Sequence, residues 1–319
     1  MSSRIAFLFP GQGSQSRGML DALAAEQVVA VTLQEASDAL GYDMAALIRD
    51  DADGQLDRTE FTQPALLTAS TAMLRLWQER NGPIAAHMAG HSLGEYSALV
   101  AAGSIGFSDA VQLVAFRGNA MSEAVPAGVG LMAAILGLDD AVVEELCAKA
   151  STDDEKVWAA NYNCPGQLVV AGHKAAVERM MESARTSGAK RALPLAVSAP
   201  SHTPLMQPAA DAVSKRLTEI EIKVPACPVW SNADAAAKES ADDIRAALVA
   251  QLVSPVRWTQ TIQNLAAAGI SQSVEMGPNK VLAGLVKRID REMAVANTHT
   301  IEQIDAAIAS VAQFEQGEG

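Results

Sequence analysis

At 319 residues, the chain is long enough for one large domain or for a domain that carries an insertion. Hydrophobic residues make up 49% but aromatic residues only 4%, so Ala, Val and Leu must fill the core, which favours helices packed closely on a parallel sheet. A formal net charge of −13 argues against nucleic acid and anionic membranes as partners.

The cysteines and the N-terminal residues bear on the cellular compartment of the protein. Cys147, Cys164 and Cys227 form no C-x-x-C pair and are too few for a disulfide framework, which fits a reducing cytosol. The first residues lead into an apolar strand without the long hydrophobic segment of a signal peptide. Residues 96–116 are apolar but interrupted by polar residues, which predicts helix, turn and helix rather than a membrane span. We therefore expect a cytoplasmic protein.

The first predicted element is an apolar strand from Arg4 to Phe9. A loop of sequence Pro-Gly-Gln-Gly-Ser-Gln follows at residues 10–15 and leaves backbone amides free to face a ligand. Loops at the carboxyl ends of parallel strands are where open α/β sheets bind ligands. On its own, this segment is also explained by an ordinary strand-to-helix loop.

Helical spacing follows from Met19 to Ile48, with a break at Gly41. A second helix is predicted from Thr62 to about Glu79, where Pro64 suits the first turn.

Residues 90–94, Gly-His-Ser-Leu-Gly, lie between an apolar strand (84–89) and a predicted helix (95–102). Strand, turn and helix form the context in which G-x-S-x-G marks a nucleophilic serine. We expect the glycines to adopt backbone angles that a side chain forbids, so that Ser92 is exposed at the top of a sheet. The backbone N–H of Leu93 then points to where an oxyanion forms. An ordinary glycine-rich turn is the alternative.

The next predicted helix, residues 110–124 with Ser108 and Asp109 as caps, is apolar almost all round and carries Arg117. A buried guanidinium needs an anionic partner. Two structural explanations are a salt bridge within the protein and a positive charge that stabilises the C-terminal end of a helix. The functional explanation is that Arg117 binds a substrate carboxylate with two hydrogen bonds. Met121 lies on the same helix face, four residues further on.

The pattern changes between residues 128 and 197. Strands are predicted at 129–137, 157–162, 167–171 and 192–197, with helices at 139–150 and 174–187. The order β-α-β-β-α-β describes a ferredoxin-like unit of about 70 residues. We expect residues 128–197 to be a subdomain inserted into an α/β body of residues 1–127 and 198–319, with a ligand cleft between them.

A polar loop at residues 198–204 carries His202, which we select from five histidines as the base that a nucleophilic serine needs. His91 directly precedes Ser92, and His173 opens a helix of the insertion. A surface histidine without a function is the alternative. Because no histidine pair has the spacing of metal ligands on a helix, we expect no zinc.

The remaining chain continues the α/β pattern. Helices are predicted at 205–220, 242–252, 260–268, about 280–287 and 300–313, and short strands at 228–232 and 271–276.

Several motifs resemble the malonyl-CoA:acyl carrier protein transacylases, acyltransferases of fatty acid synthesis that also occur as modules of polyketide synthases. The matching segments are Arg117 and residues 9–15, 90–96, 128–134, 160–167, 200–202, 251–256 and 275–278. They occur in order over nearly the whole chain. The resemblance implies a hydrolase-like body with a mostly parallel sheet and an inserted ferredoxin-like subdomain.

The resemblance also implies the catalytic residues. Ser92 is the nucleophile and His202 is the general base. In this family a backbone carbonyl near Gln251 orients the histidine in place of a carboxylate, which supplies geometry without a full negative charge. Ser254 is an alternative source of that orientation.

The other implied roles concern the acyl group. The backbone N–H groups of Gln12 and Leu93 form the oxyanion hole, and Arg117 binds the free carboxylate of a malonyl group. We add Met121 and Ser201 as substrate-binding residues.

The implied activity is transfer of a malonyl group from malonyl-CoA to the phosphopantetheine thiol of acyl carrier protein, through a malonyl-serine ester and ping-pong kinetics. Acyl transfer through a serine needs no metal or redox cofactor, so we expect none. A polyketide or malonate-decarboxylase acyltransferase, a serine thioesterase or hydrolase, and an acyl-binding module with an inactive site remain alternatives. We expect a monomer that binds neither nucleic acid nor membranes.

Acyl carrier proteins are acidic, as is this chain, so docking requires a local positive patch. Candidates are Lys190, Arg191, Lys280, Lys287, Arg288 and Arg291. Ordinary solvated charges are the alternative explanation.

Overall fold

The computed structural model describes residues 4–197 and 199–317. Ser198, the first residue of the predicted polar loop, lies outside the described residues, as do the two chain ends. Within the described residues the strands are β1 (Ile5–Phe9), β2 (His87–Gly90), β3 (Gly130–Leu136), β4 (Val157–Cys164), β5 (Gln167–His173), β6 (Arg191–Pro194), β7 (Val229–Trp230), β8 (Ala237–Lys238), β9 (Gln272–Glu275) and β10 (Ala294–Asn297).

The helices connect these strands and cover the sheets. They are α1 (Gln27–Leu40), α2 (Met44–Arg49), α3 (Thr59–Glu79), α4 (Gly94–Ala101), α5 (Phe107–Glu123), α6 (Asp140–Ala150), α7 (Lys174–Thr186), α8 (Gln207–Leu217), α9 (Ala241–Val253), α10 (Trp258–Ala267), α11 (Val281–Ile289) and α12 (Ile301–Gly317), with short 3₁₀ turns at Asp21–Leu23 and Pro204–Met206. Across the described ranges, no helix combines the length and the apolar character needed to cross a membrane.

Six strands form one sheet in the order β10-β9-β1-β2-β7-β8, in which only the β7–β8 pair is antiparallel. The expectation of an α/β protein with a mostly parallel sheet is therefore confirmed. In the register, Phe9 of β1 lies beside Gly90 of β2, and Leu8 lies beside Glu275 of β9. The loops that follow these three strands consequently meet at one edge of the sheet, where open α/β sheets bind ligands.

β1 is buried along its whole length because helices cover both faces of the sheet. Its alternating side chains enter two cores. Phe7 and Phe9 belong to the larger core, where the Phe7 ring meets Trp77 of α3 edge to face at a centroid distance of 5.6 Å. Leu8 belongs to a smaller core with Trp258 of α10. Both faces therefore hold β1, and the loop after it, in place.

The remaining strands form a four-stranded antiparallel sheet in the order β4-β5-β3-β6. The helices α6 and α7 pack on it and form a separate core that includes Val143, Val170 and Met180. Two backbone hydrogen bonds join this unit to the rest of the protein, from Tyr162 N–H to the Val256 oxygen and from Val256 N–H to the Ala160 oxygen, both 2.9 Å.

Several predicted boundaries are wrong. Helical spacing was predicted from residue 19 up to the break at Gly41, but the α-helix in this part covers only residues 27–40. Residues 21–23 form a 3₁₀ turn instead. α3 starts at Thr59, so Pro64 lies inside the helix instead of in its first turn. Residues 59–61, Thr-Glu-Phe, are too few to show the apolar periodicity that would reveal this earlier start.

Two further errors concern a helix cap and two strands. Gly106 is the residue before α5, so Ser108 and Asp109 lie within the first turn and do not cap it. The short strands β8 and β10 were not predicted. With two and four residues they are too brief for an alternating pattern, and they form by pairing with β7 and β9.

The contact between α3 and α5 leaves no room for a side chain at Gly118. A Cβ atom there would lie 2.7 Å from the Glu60 Cα and 2.8 Å from the Thr59 oxygen. We expect Gly118→Ala to lower the free energy of unfolding by about 1–3 kcal/mol, because α5 must move away from α3. Urea unfolding followed by circular dichroism measures the change.

Gly284 in α11 is the matched control, because nothing lies within 4 Å of a Cβ atom at that position. We expect Gly284→Ala to raise the free energy of unfolding by up to about 1 kcal/mol through helix propensity. Equal stability losses in the two variants would contradict the packing argument.

Candidate active site

The turn between β2 and α4 places Ser92 above the sheet. The serine itself has a positive φ of 50°, which is rare for a residue with a side chain. Gly90 and Gly94 do not, so the expectation that the glycines supply the unusual backbone angles is wrong. They are required for close contact: a Cβ atom on Gly90 would lie 1.9 Å from the Gly94 carbonyl carbon, and one on Gly94 would lie 2.0 Å from the Phe9 oxygen.

Side chains from distant segments hold the strained serine by both of its backbone groups. The Ser92 N–H donates to Asn232 Oδ1 at 2.6 Å, and Asn232 Nδ2 donates to the Gly90 oxygen at 2.6 Å. The Ser92 carbonyl oxygen accepts from Gln251 Nε2 at 3.0 Å. A positive φ at a serine costs about 1–2 kcal/mol, which these hydrogen bonds offset.

His202 lies against the serine hydroxyl. Its Nε2 is 2.8 Å from Ser92 Oγ, and its Nδ1 is 2.8 Å from the backbone oxygen of Gln251. Because a carbonyl only accepts, Nδ1 carries the proton and Nε2 accepts from the serine hydroxyl. The carbonyl of Gln251 therefore occupies the place that a carboxylate takes in other serine sites. The alternative, Ser254, also interacts with this ring through its backbone, although no hydrogen bond from its side chain is found among the described residues.

The imidazole of His202 is held neutral. Burial and the nearby positive charge of Arg117 lower the pKa of His202 to about 3. The residue is only 3% exposed. A neutral ring with a free lone pair at Nε2 is the form that can take a proton from Ser92.

Arg117 is buried, 1% exposed, beside the same hydroxyl. Its Nη1 donates to Gln63 Oε1 at 2.7 Å and its Nη2 to Gln251 Oε1 at 2.9 Å, and Nη2 is 3.3 Å from Ser92 Oγ. Its carbon Cζ lies 5.4 Å from the centre of the Tyr96 ring. All of these partners are neutral.

No carboxylate in residues 4–197 and 199–317 lies within salt-bridge distance of this guanidinium, and its Nε has no hydrogen-bond partner there. Burial lowers the pKa of Arg117, which reflects the cost of keeping a charge away from water. Among the described residues, Arg117 therefore makes no internal salt bridge, which was one of the explanations that the sequence left open. An anion in the site would complete the coordination of Arg117.

The candidate oxyanion donors lie on two adjoining loops. The N–H groups of Gln12 and Leu93 have no acceptor within the described part of the chain. The first loop touches the serine turn at Gly11, where a Cβ atom would lie 2.3 Å from the His91 oxygen. Thr59 Oγ1 donates to Gln12 Oε1 at 2.5 Å and holds this loop on α3. Both amides are thus placed by packing and remain free to bind an anion.

Met121 and Ser201, the two other predicted substrate-binding residues, make different contacts. Met121 is buried and its Sδ is 3.7 Å from Gln63 Nε2, so it contacts the partner of Arg117. Ser201 is half-buried and lines a cavity of about 300 Å³ together with Thr59, Ser122 and Val197. Its hydroxyl donates to the Ala199 oxygen at 3.3 Å. The cavity opens between α3, α5 and the loop that carries His202.

The side chain of His91 contacts Asn163 and Trp258 instead of the hydroxyl of Ser92. Its Nε2 is 2.8 Å from Asn163 Oδ1 in β4, and its ring packs on Trp258 at 5.6 Å. The interaction ties the antiparallel sheet to the turn that carries Ser92.

A strained serine that is hydrogen-bonded to a buried neutral histidine is the arrangement of enzymes that transfer acyl groups through serine. Comparison with known proteins agrees: a family model described as an acyl transferase domain matches residues 6–309. The class is therefore that of the acyltransferases.

Relatives narrow the class. A malonyl CoA-acyl carrier protein transacylase of Escherichia coli K12 is 53% identical over 288 residues, which are 90% of this chain and 93% of the relative. One of Bacillus subtilis is 47% identical over 305 residues, or 94% and 96% of the two chains. The chain belongs to the malonyl CoA-acyl carrier protein transacylase family.

Solved structures agree with this assignment. The transacylase of Coxiella burnetii superposes with a TM-score of 0.95 at 48% identity and covers 98% of both chains. A malonyl-transacylase solved in complex with a type II PKS acyl-carrier protein superposes with a TM-score of 0.94 at 48% identity, over 97% of this chain and 100% of that one.

Three buried polar residues of the site were missed from the sequence: Gln63, Glu95 and Asn232. Gln63 was assigned only to a helix start, Glu95 lies in the 90–96 motif but received no role, and Asn232 lies in the loop that follows β7. The available clue is that a polar residue in an apolar segment needs a buried partner. That clue does not name the partner, since Asn232 and Ser92 are 140 positions apart.

The charge state of His202 is testable by ¹⁵N NMR. We expect a neutral ring with its proton on Nδ1 from about pH 8 to about pH 5, since burial and Arg117 both disfavour the imidazolium. Arg117→Met removes one of these two causes, so the pKa of His202 must rise. Arg75→Met is the control, because Arg75 pairs with Glu35 and stacks on Phe107 elsewhere on the molecule. An imidazolium that forms with the ordinary histidine pKa in the native protein would contradict the neutral state of His202.

Proposed function

We propose that this chain transfers a malonyl group from malonyl-CoA to the phosphopantetheine thiol of an acyl carrier protein, as a step that supplies fatty acid synthesis. The observation that carries the proposal is the buried Arg117, which lies 3.3 Å from Ser92 Oγ and has only neutral partners among the described residues. In a malonyl thioester, one methylene separates the acyl carbonyl from a carboxylate. A cation beside the nucleophile therefore fits this acyl group and not an uncharged one. The names of the relatives support the same donor and acceptor.

In the first half-reaction, His202 takes the proton of Ser92 as Oγ attacks the thioester carbon of malonyl-CoA. The N–H groups of Gln12 and Leu93 stabilise the oxyanion, each by roughly 3 kcal/mol as in comparable sites. The carbon–sulfur bond then breaks, and the imidazolium of His202 returns its proton to the departing CoA sulfur. The product is a malonyl ester on Ser92.

In the second half-reaction, the phosphopantetheine thiol gives its proton to His202 and its sulfur attacks the ester carbonyl. The bond between that carbon and Ser92 Oγ breaks, and the proton moves from His202 to the serine. Arg117 holds the malonyl carboxylate in both halves, so the acyl carbonyl stays between the nucleophile and the oxyanion donors. Ping-pong kinetics follow from the covalent intermediate.

The cavity beside Ser201 is our proposed path for the pantetheine arm. Its lining includes Arg58, Thr59, Ser122 and Ser201 as well as the acidic residues Asp57 and Glu60, and it lies beside the loop that carries His202. Amide and hydroxyl groups of the arm find polar partners in such a lining.

The basic residues named as docking candidates lie on both sheet units. Arg288 of α11 donates to Gln167 Oε1 at 2.7 Å and to the Pro165 oxygen at 3.2 Å, so it bridges the two units. We propose that this bridge and its basic neighbours face the acidic carrier protein.

We further propose that residues 1–127 and 198–319 form a hydrolase-like body and that 128–197 form a ferredoxin-like inserted subdomain. Parallel strands with the serine turn at the carboxyl end of β2 support the first assignment. The element order β-α-β-β-α-β and the antiparallel sheet order β4-β5-β3-β6 support the second. A monomeric, cytoplasmic protein that binds no nucleic acid stays a prediction from the sequence.

Intact-protein mass spectrometry after brief incubation with malonyl-CoA tests the covalent intermediate. We expect a malonyl adduct on the native protein, almost none with acetyl-CoA and none on Ser92→Ala. Free CoA without an adduct would instead indicate a hydrolase that deacylates quickly. If neither an adduct nor free CoA forms, malonyl-CoA is not the donor.

Arg117→Met tests the carboxylate clamp. We expect kcat/KM for malonyl-CoA to fall by about 100-fold or more relative to acetyl-CoA, because the variant keeps the apolar volume and loses the charge-assisted hydrogen bonds. Arg75→Met is the control and keeps the native preference. An equal loss of rate with both donors would show that Arg117 does not read the carboxylate.

A further inference from the structure

Glu95 is a buried acid to which the proposed reaction assigns no step. It lies in the first turn of α4, three residues after Ser92, and only 3% of it is exposed. A carboxyl group in such a place is costly unless hydrogen bonds satisfy it. Its contacts therefore indicate what it does.

One oxygen of Glu95 binds two distant segments. Oε2 accepts from the backbone N–H of Asn232 at 2.9 Å and from Gln251 Nε2 at 2.7 Å. These are the two residues that hold the backbone N–H and carbonyl oxygen of Ser92 in its positive-φ conformation. Glu95 is thus the common partner of both residues that restrain the nucleophile.

Gln251 extends this connection to the rest of the site. Its backbone oxygen orients His202 at 2.8 Å, and its Oε1 accepts from Arg117 Nη2 at 2.9 Å. A shift of the Gln251 side chain or backbone therefore changes the base and the cation together. Misplacement of reacting groups by about 1 Å can cost about 100-fold in rate.

We propose that Glu95 is a positioning residue whose Oε2, as a hydrogen-bond acceptor, holds Asn232 and Gln251 and so sets the geometry of Ser92, His202 and Arg117. The proposal rests on the proposed function, in which Ser92 is acylated by malonyl-CoA. Glu95 touches no substrate atom in the proposed reaction, and its effect passes through its two partners.

The acceptor atom, rather than the negative charge, is what both contacts use. Burial raises the pKa of Glu95 to about 7, so the neutral form is well populated at neutral pH. An amide of the same shape offers an oxygen in the same place. Glu95→Gln is therefore the conservative variant, and Glu95→Ala removes the acceptor.

Single-turnover acylation by malonyl-CoA provides the readout, as a maximal rate and a half-saturating concentration. We expect Glu95→Ala to lower the maximal rate by about 30- to 100-fold, with the half-saturating concentration changed by less than about threefold. Glu95→Gln should stay within about threefold of the native rate. A native rate in Glu95→Ala, or a loss in Glu95→Gln as large as in Glu95→Ala, overturns the proposal.

A double-mutant cycle with Gln251→Ala tests the route of the effect. This variant keeps the backbone oxygen that binds His202. Because one of the two contacts of Glu95 passes through Gln251, the double variant should be less impaired than the product of the two single effects. Single effects that multiply in full would show that Glu95 does not act through Gln251, and would overturn that half of the proposal. If Glu95→Ala does not fold, Glu95→Met enters the same cycle, since it fills the volume without an acceptor.

Two controls separate the possible failures. Val143→Ala lowers thermal stability in the separate core of the antiparallel unit, away from the site. We expect it to leave the acylation rate unchanged. Labelling of Ser92 by a sulfonyl fluoride reports on the nucleophile without any malonyl group. If the native protein takes no malonyl group, the proposed function fails, and the Glu95 inference is then decided by whether Glu95→Ala slows this labelling and Glu95→Gln does not.

Discussion

The site depends on keeping a guanidinium buried beside a histidine that must remain neutral. Burial and the positive charge of Arg117 both disfavour the imidazolium, so His202 can accept a proton at neutral pH. The neutral amides of Gln63 and Gln251 orient the guanidinium without cancelling its charge. In the proposed reaction, that charge attracts the substrate carboxylate, and the carboxyl group of Glu95 also acts on it electrostatically. In that reaction, one arrangement both keeps the base neutral and selects the acyl group.

A second constraint is the sharp turn at Ser92. The chain passes so close to β1 and to itself that only glycine fits at positions 90 and 94, and the serine takes the positive φ. The strain is held by hydrogen bonds from Asn232 and Gln251, which belong to segments far away in the chain. The serine is therefore placed by the surrounding fold as much as by its own motif.

The parts of the fold that were predicted correctly rest on local signals. The apolar run of β1, the helical spacing of α6 and α7 and the turn at 165–166 are all visible in short windows of sequence. The errors arise where tertiary contacts decide. The strands β8 and β10 exist through pairing, and α3 begins in polar residues without a periodic signal. The site was predicted mainly from motifs, and the polar partners Gln63, Glu95 and Asn232 were not.

The sequence by itself determined the class of protein, the candidate nucleophile and base, and the presence of a cation on an apolar helix, because motif spacing and hydrophobic periodicity are properties of the chain. Only the tertiary structure decided what these groups meet. The separation of 2.8 Å between Ser92 and His202, the carbonyl of Gln251 behind the histidine, and the neutral partners of Arg117 all join residues tens to hundreds of positions apart. Such contacts depend on how sheets and helices pack, and no local pattern of residues encodes them.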